Sequence, residues 1–329
     1  MMLNIGIIGM GYWGPNYVRV LSSLKSCSLA WCSDLDESKA SLCQGARFTK
    51  NYRDMLSDPK LGAVVICTPT STHYEIAMDA LKAGKHVLIE KPMTTDSKKA
   101  AEMAGLAEKK GLRLMVAHTF LYNPGVRKLK EYVDNGTVGD LVYFSAERRG
   151  LGPIRRDVNA LWDLAPHDVS IMLYLTGRKP DSVMAVGRSY VKKGREDVVF
   201  ATAVYSNGLI ANIHVSWLDP YKIRTTTVVG SKKMVVFDDV SNEKVKVFDK
   251  GVEFGPAGSY GEFKEIVRDG DILIPKVDGA EPLKVECEHF IDCVKSGKKP
   301  LSDARNGADV VRVLEAMQES LGSGSWVKV

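Results

Sequence analysis

Long apolar runs are missing from this 329-residue chain. No stretch approaches the ~18 residues of a membrane-spanning helix, so no membrane span is expected. Concentrated positive charge is missing too. The 45 lysines and arginines exceed the 40 aspartates and glutamates by five, but they are spread out, with no stripe interleaved with aromatics. That argues against a nucleic-acid binder and is compatible with an anionic small substrate. Cysteines never stand at C-x-x-C spacing. The six, at 27, 32, 43, 67, 287 and 293, several inside apolar runs, are expected to be buried free thiols of a reducing cytoplasm, not disulfides or a zinc site. The chain enters a strand pattern at once, so no signal peptide is expected. Internal repeats and low-complexity linkers are also lacking.

What is present is the ordinary make-up of a soluble globular protein, 45% apolar and 26% charged, at a length that favours two domains. The opening stretch, LNIGIIGMGYWG, organises the rest. Leu3, Ile5, Ile7 and Ile8 form an uncharged strand. Gly9-Met10-Gly11-Tyr12-Trp13-Gly14 then gives the G-x-G-x-x-G spacing, and a helical pattern opens at Pro15. In that order Gly9 permits the tight turn, Gly11 keeps no side chain in the way of a pyrophosphate, and Gly14 lets the helix sit close. Dinucleotide binding is the reading; a plain tight turn in an α/β domain is the alternative. A second strand, Ser28–Ser33, ends at Asp34, about 20 residues beyond the glycine loop, where an acid binds ribose hydroxyls. An acid there repels a 2′-phosphate, which favours NAD over NADP. A helix cap is its other use, and Asp36 is placed to supply that.

Strand and helix alternate over residues 1–120, which implies a doubly wound parallel sheet. The apolar strand Gly62–Cys67 runs into TPTSTHY, a loop whose Thr68, Pro69 and His73 can approach a cofactor. A helix is expected over Thr72–Ala83. The fifth strand, His86–Ile89, ends in Glu90-Lys91-Pro92, and the bond before Pro92 is a candidate for cis. A sixth strand covers Leu112–Ala117, and His118 with Tyr122-Asn123-Pro124 after it is placed to line the nicotinamide side. Residues 121–329 read as a second, α+β domain around a large, mainly antiparallel sheet. Its strands are expected at Leu141–Arg148, Ser182–Tyr190, Val198–Tyr205, Leu209–Trp217, Arg224–Val229, Lys233–Phe237 and Lys244–Phe248, with helices at Trp162–Leu175, Val285–Lys295 and Asn306–Leu321. The final helices are free to pack back on the first domain. Gly251–Gly261 reads as a loop. One face of such a sheet, if apolar, invites a homodimer or homotetramer contact.

Two constellations carry chemistry. Ligands of open α/β sheets sit beyond the carboxyl ends of the strands, so Lys91 points at the cofactor site, where an ammonium can hold a substrate hydroxyl and stabilise an alkoxide. A solvated surface lysine is the alternative. Asp163 and His167 stand four apart on one helix and share a face, an arrangement suited to a carboxylate orienting an imidazole base. A metal is the rival use, but no second histidine lies nearby. Just before them come Arg148, Arg149, Arg155, Arg156, Asp157 and Asn159. Arginine forks fit phosphate oxygens, so a phosphorylated or nucleotide-linked substrate is one reading and a solvated loop the other. His73, His214 and His289 have no comparable setting and read as structural, His73 keeping its place beside the cofactor loop.

Taken together, Gly9-x-Gly11-x-x-Gly14, Thr68-Pro69, Glu90-Lys91-Pro92, Asp163-x-x-x-His167 and the tail Phe290, Gly297, Pro300 and Gly307 resemble the Gfo/Idh/MocA family of sugar and inositol oxidoreductases. The resemblance implies a Rossmann domain, an open-faced C-terminal sheet and hydride transfer between a carbinol carbon and NAD(P). It implies Lys91 and His167 as the catalytic pair and Asp163 as a substrate or relay residue. One departure is Ala165-Pro166 where many members carry a glycine before the histidine. The run from Arg155 to Asp163 with His167-Asp168, and Gly270-Asp271, Pro275 and Glu281-Pro282-Leu283, look like the branch acting on the 3-hydroxyl of UDP-linked N-acetylated sugars, UDP-N-acetylglucosamine or its uronic acid. That resemblance implies a nucleotide-sugar substrate held by Tyr122, Asn123, Arg148, Arg155, Arg156, Asn159, Asp163 and His167. A free sugar or inositol dehydrogenase is the alternative within the family. A non-enzymatic NAD sensor is the alternative outside it, and both Lys91 and His167 argue against that.

Overall fold

The computed structural model describes residues 2–152, 154, 155, 157–254 and 265–329. They divide into two compact units, 1–122 with 280–315, and 123–279 with 316–329.

The first unit opens with β1 (Leu3–Ile8), α1 (Gly14–Ser23), β2 (Cys27–Ser33), β3 (Arg47–Thr49), α2 (Tyr52–Leu56), β4 (Ala63–Ile66), α3 (Thr70–Lys82), β5 (His86–Ile89), α4 (Ser97–Lys109) and β6 (Leu114–Val116). The strands form one parallel sheet in the order β3-β2-β1-β4-β5-β6, the order of a two-fold mononucleotide-binding sheet. All four residues of β4 are buried, as a parallel strand covered on both faces requires. β3 is absent from the expectations above: three residues beginning at the exposed Arg47 give no periodicity to read. α3 starts two residues earlier than expected, so Thr70 and Ser71 join His73 on the helix and leave the loop.

The second unit begins with α5 (Pro124–Asp134), β7 (Leu141–Arg149) and α6 (Ala160–Thr176). Seven strands follow, β8 (Ser182–Arg188), β9 (Val198–Val204), β10 (Ile210–Ser216), β11 (Ile223–Gly230), β12 (Met234–Asp238), β13 (Val245–Phe254) and β14 (Glu265–Leu273). The chain ends in α7 (Pro282–Ser296), α8 (Ala304–Ser323) and β15 (Val327–Lys328). Nine strands make one sheet, β14-β13-β12-β11-β7-β10-β9-β8-β15. Among the described residues of this sheet only the β7–β10 pair is parallel. Helices α5 and α6 cover one face. Two expectations are corrected. Residues 251–254 continue β13 and do not form a loop, because they pair with β14; the rest of that expected loop, from 255, lies outside the described residues. β14 itself had no counterpart, since its EIVRDGDIL sequence carries charge and a glycine where a strand pattern should alternate.

Helix α7 belongs to the first unit. It packs on α1 and on the 3-10 turn Thr119–Tyr122, with Leu283, Cys287, Phe290 and Ile291 buried. The division falls within α8, after Glu315.

Candidate active site

At the carboxyl ends of β1, β2 and β4 lies a cleft of about 390 Å³. Gly9, Gly11, Asp34, Thr68 and Pro69 line it, with Ser33, Lys50, Tyr52 and Thr72. Each glycine of the loop is required for a different reason. Gly9 has φ +95°, and a Cβ there would lie 2.8 Å from the Cys67 carbonyl carbon, so only glycine makes this turn. A Cβ on Gly14 would collide with the Gly9 carbonyl oxygen. A Cβ on Gly11 would meet nothing within 4 Å: its backbone fronts open space, which is what an approaching pyrophosphate needs. No side chain caps α1; Pro15 has no N–H and Asn16 N donates to Trp13 O at 2.9 Å, which leaves Gly14 N as the first-turn amide available to an anion.

Asp34 ties this loop to β2. Its Oδ2 accepts from Met10 N at 2.6 Å and its Oδ1 from Asp36 N at 2.9 Å. Asp36, not Asp34, caps the following 3-10 turn, accepting from Ser38 N at 3.0 Å. Met10 therefore serves through its backbone, since its side chain is core. Tyr12 is exposed, packed edge-on against the half-exposed Trp13. These residues fit a dinucleotide with an unmodified adenosine ribose.

Beyond β5 the Lys91–Pro92 bond is cis. Glu90 is buried and turned inward. Its Oε1 accepts from Tyr17 Oη at 3.1 Å and its Oε2 from Lys91 N at 3.2 Å, so it anchors the turn that carries Lys91. His73 braces the same turn from α3, its Nδ1 2.9 Å from Pro92 O and its Nε2 2.9 Å from Thr68 O. It joins the two loops it was expected to belong beside. Below them Glu286 of α7 is fully buried and accepts from Thr119 Oγ1 at 3.0 Å. Burial first, then the Glu90 charge, push its carboxyl well above the usual range.

In the second unit α6 is buried almost all round. Asn159 opens it, accepting from Trp162 N at 3.1 Å, and Gly177, at φ 71°, closes it in the left-handed conformation. Asp163, Leu164 and His167 break the buried pattern as one half-exposed stripe, the shared face expected from their spacing. Asp163 Oδ2 accepts from Trp217 Nε1 at 3.0 Å. Beside it is a hollow of about 250 Å³ lined by Arg148, Arg149, Asp163, Trp217, Lys222 and Arg224, among others.

The arginines are already engaged with carboxylates. Arg148, on the helix-facing side of β7, holds the buried Asp168 in a fork, with Nε 3.0 Å from Oδ2 and Nη2 2.9 Å from Oδ1. Arg149 bonds Asp219 at 2.7 Å and Glu147 at 3.1 Å. Arg155 makes two 3.0 Å bonds to Asp157, which hold that carboxyl below the usual range. Arg156 lies outside the described residues. Three further expected substrate contacts have structural employment. Asn159, besides capping, donates to Glu196 at 2.6 Å and Gln318 at 2.8 Å. Asn123 caps α5 and donates to Asp239 at 3.3 Å. Tyr122 is core, with only 1% of its surface exposed.

Sequence reasoning missed Lys50 and Tyr52 at the cleft because it missed β3, whose carboxyl end they follow. It also missed Trp217, Lys222 and Arg224. Trp217 directly follows β10, and the other two flank the start of β11, so their signal was position at a strand end.

Residues 3–118 match the oxidoreductase family with an NAD-binding Rossmann fold, and residues 126–236 match the GFO/IDH/MocA C-terminal domain. The chain belongs to the Gfo/Idh/MocA oxidoreductases. NAD is the cofactor of this Gfo/Idh/MocA enzyme, and the glycine loop and Asp34 line a cleft that fits a dinucleotide. A UDP-N-acetylglucosamine 3-dehydrogenase of Acidithiobacillus ferrooxidans is 28% identical, over 94% of this chain and 94% of its own. A myo-inositol 2-dehydrogenase of Thermotoga maritima is 27% identical, over 99% and 98%. A levoglucosan dehydrogenase solved with NADH and levoglucosan has the same fold, with TM-score 0.85 at 21% identity and full coverage of both chains. No helix among the described residues is long and apolar enough to cross a membrane.

Proposed function

We propose that this enzyme oxidises a secondary hydroxyl of a sugar, the 3-hydroxyl of a UDP-linked N-acetylated hexosamine or its uronic acid. The observation that carries the reading is the stripe Asp163–His167 on an otherwise buried helix, beside a hollow edged by Arg149, Lys222 and Arg224. Bound NAD supplies the hydride acceptor. His167 takes the hydroxyl proton, Asp163 is the substrate or relay residue, and Lys91 holds the oxygen and stabilises its developing charge. The 28% relative from Acidithiobacillus supports the sugar. A free sugar or polyol is the second reading. It is favoured by the carboxylate partners of Arg148, Arg149, Arg155 and Arg224, which leave those forks less to offer a diphosphate, and by the inositol relative at 27%.

Calorimetric titration with UDP in the presence of NADH decides between them. Micromolar binding is expected; no binding at millimolar UDP would sink the nucleotide-sugar reading and leave the fold and the cofactor standing. Lys91→Ala and His167→Ala should each lower turnover with the true substrate by about 100-fold or more, and unchanged turnover in both would end the mechanism.

The open face of the nine-stranded sheet is the proposed seat of a second copy. One cross-strand row reads Val204, Ile210, Tyr143, Val229, Met234, Phe248, Ile272, apolar throughout. A flat face that meets its own copy needs only one symmetric patch. The cytoplasm is the proposed location, in keeping with six free thiols of which five are buried.

A further inference from the structure

His118 stands two residues beyond the end of β6, where Ala117 N donates to Ile89 O at 2.8 Å and so sets the β6 end beside the β5 end. Its side chain is 1% exposed, and neither Nδ1 nor Nε2 has a hydrogen-bond partner among the described residues. His73, in the same unit, has a carbonyl at each nitrogen. A buried imidazole with nothing to bond carries a free-energy penalty that a protein's own fold ordinarily avoids. Burial and then the nearby Lys91 ammonium push its pKa down to about 3, so the ring is neutral and keeps one acceptor nitrogen.

In a sheet of this order one half receives each mononucleotide. Asp34, at the end of β2, sets the adenosine at that side of the cleft, so the nicotinamide falls toward the β5 and β6 side of the sheet, where His118 lies. Its partner must offer an N–H or O–H without a positive charge, because Lys91 already supplies one. We propose that His118 is a cofactor-contacting residue whose free ring nitrogen accepts a hydrogen bond from the nicotinamide carboxamide. This rests on the NAD site and not on the identity of the sugar, so the two stand or fall separately.

The test is ligand affinity, read by fluorescence or calorimetry, for wild type and His118→Phe, with His118→Leu as the second variant should the larger ring not be accommodated. Three probes are used: NADH, ADP-ribose, which lacks the nicotinamide, and the reduced 3-acetylpyridine analogue, in which a methyl replaces the amide NH2. NADH should bind the variant about five-fold more weakly, the worth of one neutral hydrogen bond. ADP-ribose affinity should not change, and the variant should no longer distinguish NADH from the acetylpyridine analogue. The melting temperature of the free variant should rise, because an orphaned polar group has gone. An equal loss for NADH and ADP-ribose, or no loss for either, would overturn the assignment. Failure of wild type to bind either ligand would overturn the NAD site with it.

Discussion

Glu286 has no exposed surface, and its carboxyl is displaced upward by burial and by Glu90. The folded state therefore holds that proton more tightly than the unfolded chain does. The contribution to stability is fully present below the ordinary carboxylate range and is lost as pH rises toward the folded value. Glu286→Gln has no proton to lose. Its melting temperature relative to wild type should climb as pH rises above the ordinary carboxylate range, and a constant gap would show that Glu286 is not the group responsible. Side-chain employment of this kind is where sequence reading is weakest. Asp163-x-x-x-His167 was legible because a helix fixes the spacing of a face. That Arg148 answers Asp168, twenty residues away, was not, since a bidentate partner is chosen by packing between β7 and α6. His118 was legible only as a position at a strand end.

Helices were read to within a few residues because their ends are written in local chemistry. α6 begins after Asn159 and stops at Gly177. Asn159→Ala removes a cap and two side-chain bonds, and urea denaturation should show a loss of about 1–2 kcal/mol with NADH affinity unchanged. A variant of full stability that fails to bind substrate would return Asn159 to the ligand. Strands were legible where one face is buried, as in β9, whose VVFATAV alternates. β3 and β14 escaped because their pairing partners, not their own patterns, define them. Gly270 illustrates the point. It looked like a branch marker, yet a Cβ there would collide with Asp249 O on β13, so close strand approach alone demands it.

For the whole molecule, the parallel sheet followed from simple alternation, and the second sheet from longer alternating strands. That the final helices were free to pack back on the first domain was open from the sequence, but which residues do so, 280–315, was not legible, because no local feature of α7 says what it packs against. The apolar row across the open sheet gives a prediction at this scale. Tyr143→Arg with Ile210→Arg, both on that row, should convert the protein to monomer in light scattering and lower its melting temperature; an unchanged mass would exclude the face as the contact. The discontinuous first unit has a consequence for synthesis. Its glycine loop and first strands leave the ribosome early, yet α7, which packs on α1 and on the Thr119–Tyr122 turn, is made more than 150 residues later. The half of the protein that begins folding first is thus completed among the last, and a chain interrupted after residue 279 carries every dinucleotide motif without the helix that finishes the domain around them.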